Sequence, residues 1–226
     1  MSHRYLTRAL YADLDHAEEA AATICDCLAL AGRISYPRGE VIGLTSQGWL
    51  HLIRGDFSAA IASYKQASNL AQDLGDKFTL SRALRGLACA CHHSGQAALA
   101  RKCCLEALAL DIPTTNHACA VRLGLLCLFE GDKQMAAQHF SHGIALCQAQ
   151  SAKADRFYDA LYQLGLAQLA GGQPEEAIST YRRAMAICSA RGVLKVTLAD
   201  IRLLQGMSPP LPGVGDAAGL LETEVT

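Results

Sequence analysis

The sequence is poor in aromatic residues, poor in charge and poor in β-branched side chains. Aromatics make up 6% and charged residues 18% of the 226 residues, while 51% are hydrophobic, mostly Ala and Leu. Small and straight-chain apolar residues lose little rotamer freedom in a helix and let helix backbones approach closely. The expectation is therefore an all-α protein with ample material for a core. The formal charge of −1 leaves no electrostatic footprint for nucleic acid, so no nucleic-acid partner is expected. No apolar run approaches the roughly 18–20 residues that span a bilayer, and no membrane partner is expected. The opening MSHRYLTRALYADLD lacks the unbroken apolar stretch of a signal peptide.

Catalytic patterns are lacking too. Neither G-x-x-x-x-G-K-[ST] nor G-x-G-x-x-G occurs, and neither does H-E-x-x-H nor G-x-S-x-G. No catalytic residue, cofactor or enzymatic activity is expected. The adjacent Glu175 and Glu176 fall at a helix start, where carboxylates favour the positive end of the dipole.

Cysteine is the exception to this scarcity. Ten are present, and all fall inside apolar helical stretches rather than in loops. That placement argues against a disulfide framework and for a reducing, cytoplasmic compartment. The stretch CACHHSGQAALARKCC gathers Cys89, Cys91, His92, His93, Cys103 and Cys104, all residue types that bind zinc. However, residues i and i+2 diverge on a helix, so Cys89 and Cys91 point apart. Cys91 and Cys104 read as small apolar core residues, and no metal ligands are assigned.

The positive signal is a repeat. Five segments align on Ala20, Ala60, Ala100, Ala136 and Ala177, at spacings of 36 to 41 residues. Four residues on stand Ile24, Tyr64, Cys104, Phe140 and Tyr181; three further come Cys27, Ala67, Ala107, Gly143 and Ala184. Five residues before each anchor is a turn residue: Asp15, Gly55, Gly95, Gly131 or Gly172. Twelve before it, in the last four units, stand Gly48, Ala88, Gly124 and Gly165. Small residues so placed sit where two helices cross, and the large ones fill the gap beside them.

This pattern resembles the tetratricopeptide repeat, most clearly in LYQLGLAQLAGGQPEEAISTYRRAMAI. The resemblance implies an α-solenoid of antiparallel helix pairs, with about five units and a C-terminal capping helix. The repeat domain covers 1–205, with units near 1–38, 41–75, 79–112, 117–152 and 158–190. The cap covers 193–205, with Leu194, Leu198, Ile201 and Leu204 at helical spacing. Arg8 stands where the motif has Gly or Ala, so the first helix is either a cap or the edge of a longer array. Residues 206–226 are Pro/Gly-rich, lack periodicity and read as a disordered tail.

Through its register, the resemblance assigns a concave groove to the first helices of successive units. Its residues are Thr45, Trp49 and Leu52; Arg82, Arg85, Cys89 and His92; Val121, Arg122 and Leu125; and Asp159, Tyr162, Gln163 and Leu166. Some family members clamp a terminal carboxylate with Lys, Asn and Arg. The matching positions here are Thr45, Trp49, Gly86, Ala118 and Arg122, and only the last would serve. Arg82, Arg85 and Arg122 converge in this reading and favour an acidic ligand. The alternative is that they bridge to Asp159 or Glu130. The expected function is a protein- or peptide-binding scaffold, resembling the long-repeat arrays of bacterial signalling proteins. A receptor for a small ligand or peptide pheromone is the alternative, and an enzyme accessory subunit the third.

Overall fold

The computed structural model describes residues 17–152 and 157–225. Eleven helices and no strand are present among the described residues. They are α1 (Ala17–Arg33), α2 (Pro37–Arg54), α3 (Phe57–Asp73), α4 (Lys77–His93), α5 (Ala97–Ala109), α6 (Pro113–Phe129), α7 (Lys133–Ser151), α8 (Tyr158–Ala170), α9 (Pro174–Ile187), α10 (Arg191–Gln205) and α11 (Val214–Val225). The expected first helix of the first unit, with Arg8, lies outside the described residues.

The chain forms two compact units. The first runs to Leu110 and includes Ala190–Val193; the second comprises Asp111–Ser189 and Leu194 onward. In the first unit each helix from α1 to α5 packs on the next, and α2 also packs on α4. In the second, α6 to α9 pack in the same sequential way, α6 reaches α8, and α11 packs on α9. Consecutive helix pairs of this kind are the packing of an α-solenoid.

Turn chemistry sets where each helix stops. Gly55 adopts φ 74°, a left-handed conformation that costs glycine nothing sterically. The Gly55 N–H donates to the Leu52 carbonyl and the Asp56 N–H to the His51 carbonyl, which closes α2. Asp56 then caps α3 by accepting from the Ala59 N–H at 3.0 Å. Asp76 and Asp132 repeat that device at α4 and α7, accepting from the N–H groups of Thr79 and Met135. Pro37, Pro113 and Pro174 begin α2, α6 and α9, where a missing N–H loses no bond.

The packing follows the repeat register. Ala60, Ala100, Ala177, Ala67, Ala107 and Ala184 are fully buried, and Ala136 nearly so. The aromatic residues lie against glycine backbone. A Cβ added at Gly124 would stand 2.5 Å from the Phe140 ring, and one at Gly165 2.7 Å from Tyr181. Tyr64 is held from two sides, since Cβ atoms at Gly48 and Gly86 would come within 2.8 and 2.3 Å of it. Gly86 belongs to the next pair, so one ring spaces two successive first helices.

The sequence reading is corrected at the C-terminus. Residues 206–226 were expected to be disordered, yet Val214–Val225 forms α11. Val214, Ala217, Ala218 and Leu221 lie at i, i+3, i+4 and i+7, and all are buried. Arg202 of α10 also reaches Glu222 of α11 at 3.1 Å.

Overpacking a crossing is costly, whereas filling open space is not. Gly165→Leu should lower unfolding free energy by about 1–3 kcal/mol or more in urea denaturation. Gly219, in α11, has no neighbour within 4 Å of an added Cβ. Gly219→Ala should stabilise by about 0.5–1 kcal/mol through helix propensity.

Candidate functional site

In the first unit, Thr45, Trp49 and Leu52 follow at i, i+4 and i+7 on α2. Arg82, Arg85, Cys89 and His92 run along one side of α4 in the same manner. Thr45, Trp49, Arg82, Arg85 and His92 are half-buried, while Leu52 and Cys89 are buried. The Thr45 hydroxyl donates to the Val41 carbonyl one turn earlier, at 2.7 Å. The Arg82 guanidinium stands 5.9 Å from the centre of the exposed Phe78 ring. These helices are in contact. Between them they carry four half-buried residues, Thr45, Trp49, Arg82 and Arg85.

In the second unit the same register positions have a different fate. Arg122, Val121 and Leu125 of α6 are buried, as are Tyr162 and Leu166 of α8; only Asp159 and Gln163 remain half-exposed. The expectation that Arg122 lies open on the groove is corrected. It is 6% exposed and holds Asp200 of α10, itself 1% exposed, through both guanidinium nitrogens, with Nη2 to Oδ2 at 2.8 Å. A charge removed from water to this extent requires a partner, and Asp200 supplies a bidentate one. Asp159 is engaged by His117, whose buried Nε2 lies 3.1 Å from Oδ2. The Tyr162 hydroxyl donates to the Cys188 carbonyl at 2.7 Å. Burial raises the Tyr162 phenol well above its ordinary range, with smaller contributions from Cys188 and Glu224.

The cysteine-rich stretch is packed into the interior. Cys91, Cys103 and Cys104 are buried. Burial raises the Cys91 thiol, against a smaller opposing effect from Lys65. Burial likewise pushes Cys147 far up, with Asp159 adding to the shift. Thiols kept protonated are poor nucleophiles. His93 stacks on Phe57 with ring centres 4.9 Å apart.

Residues 160–194 match the family model described as Tetratricopeptide repeat, over the segment that carries Gly165, Gly172, Ala177 and Tyr181. That segment carries a tetratricopeptide repeat. No curated protein matches it. Tetratricopeptide repeats generally mediate protein–protein interaction, and their all-helical fold is typically a non-enzymatic scaffold. No helix among the described residues is long and apolar enough to cross a membrane.

Sequence reasoning missed Asp200, although a signal was present. Asp200 lies two residues after Leu198 and four before Leu204, on the buried and mostly apolar side of the helix. A carboxylate at such a position calls for a buried cation. Removing only the cation should be severe: Arg122→Ala is expected to cost about 3–5 kcal/mol in chemical denaturation, because it takes a bidentate cation away from a buried carboxylate. The double replacement Arg122→Met with Asp200→Leu should be near neutral, since it removes both desolvated charges.

Proposed function

We propose that this protein binds a peptide or protein segment across α2 and α4 of the first unit, with preference for acidic ligands. The observation that carries the reading is the half-exposed set Thr45, Trp49, Arg82, Arg85 and His92 on two packed helices. The repeat signature requires none of these side chains. Tryptophan and arginine supply much of the energy in protein interfaces. Arginine also matches a carboxylate bidentately, which suits an Asp, a Glu or a free C-terminus.

Two finer features belong to the same proposal. Units of 36 to 41 residues resemble the long-repeat arrays of bacterial signalling proteins, and the chain fits the scaffold segment of such a system. Ten cysteines, none of them in a disulfide, suit a reducing, cytoplasmic setting.

Fluorescence anisotropy with labelled acidic and basic peptides of equal length tests the preference. The acidic set should bind more tightly, and affinity should fall as salt rises, because exposed charges are screened over about 8 Å at physiological ionic strength. Arg82→Ala combined with Arg85→Ala should weaken binding about tenfold or more and leave the melting temperature nearly unchanged, at about 1–3 kcal/mol per lost charge-assisted bond. Salt-independent binding that survives both substitutions would contradict the acidic preference and leave Trp49 as the anchor.

A further inference from the structure

Four of the large apolar residues left exposed, Ile34, Tyr36, Leu74 and Phe78, fall in or beside the two turns that lead into α2 and α4. Tyr36 holds the N-cap position of α2 and gives it no side-chain bond, whereas Asp76, at the same place before α4, does cap. Single exposed apolar residues are ordinary on a protein surface. A group of them at one end of a candidate binding face is not.

The two helix starts lie side by side. Arg38 Nε meets Asp76 Oδ2 at 3.5 Å, and α2 packs on α4. Just inside, Val41 of α2, Ala67 of α3 and Ala83 of α4 share one core cluster, flanked by Leu44 and Leu80. Phe78 stands on α4 four residues before Arg82, on the stripe that continues to Arg85. Its ring is 45% exposed, and the Arg82 guanidinium lies 5.9 Å from the ring centre. Arg38 is answered by Asp76, while Arg82 has, among the described residues, this ring contact and no carboxylate. A guanidinium can serve a ring and a carboxylate together, because its N–H fork is separate from its contact with the ring.

We propose that Phe78 and Arg82 form a two-part subsite for an extended acidic peptide, reading a large apolar ligand residue and a carboxylate two places from it. This deepens the reading of the α2/α4 face as a peptide site and rests on it. The spacing follows from geometry. Residues four apart on a helix are separated by about 6 Å along its axis. An extended peptide lying along α4 advances about 3.3 Å per residue and returns to the same side at every second one. Its residues i and i+2 therefore span about 6.6 Å on one side, a close match. Residues i and i+1 face opposite ways, as do i and i+3. The two halves also reinforce each other. A ligand side chain laid on Phe78 removes water from beside Arg82, and a charge pair is stronger where water is excluded.

Fluorescence anisotropy with labelled, end-blocked peptides of one composition tests the spacing. Each carries one phenylalanine and one glutamate in a Ser/Gly background, one, two or three places apart and in both orders. In at least one order the two-place peptide should bind about fivefold more tightly than the one- and three-place peptides. Phe78→Ala should abolish that preference and Phe78→Tyr should keep it. Both should leave the melting temperature nearly unchanged, because the ring is so exposed. Equal affinity for the three spacings would overturn the inference, as would a preference that survives Phe78→Ala. Acidic peptides that bind through Arg82 and Arg85 without regard to spacing would sink this inference alone. If no acidic peptide binds, the proposed function falls with it.

Discussion

Close approach of helices at glycine is the constraint on which the rest of the structure depends. Tyr64 occupies the space that Cβ atoms at Gly48 and Gly86 would take, and Phe140 and Tyr181 do the same at Gly124 and Gly165. Interiors are packed to crystal-like density, so a ring wedged against bare backbone fixes both the distance and the rotation of the paired helices. The rotation decides which side chains of α2 and α4, or of α6 and α8, turn away from their second helices. The candidate binding residues are thus placed by contacts in which they take no part.

Local pattern made most of this legible. The anchors Ala60, Ala100, Ala136 and Ala177 are buried where the register put them. The four residues predicted to face inward from α10, Leu194, Leu198, Ile201 and Leu204, are buried as well. Three features escaped for physical reasons. Arg122 and Asp200 are 78 residues apart, and no local periodicity connects them, so the guanidinium read as a surface group. Gly86 is off the motif's small position and shows its purpose only against Tyr64 of the preceding pair. The short helix α11 follows Pro209, Pro210 and Pro212, and its single buried stripe was masked by the helix-breaking composition before it.

The two units use one register in two ways. In the first, Arg82 and Arg85 are half-exposed on α4, one beside an aromatic ring. In the second, the one arginine that the register turns the same way, Arg122, is neutralised internally by Asp200, and His117 takes Asp159. A near-neutral chain therefore keeps two arginines half-exposed in one unit and buries another against a carboxylate in the other. Charge totals give no hint of this, since the division depends on partners distant in sequence.

Trp49 offers the most direct test of the claim that the α2/α4 face is the binding surface, because it is the only tryptophan in the chain. Acrylamide quenching of its emission should be appreciable in the free protein, where the residue is half-buried. A saturating acidic peptide should lower the quenching constant and shift the emission to the blue. A peptide that binds with full stoichiometry and leaves both quantities unchanged would contradict the account.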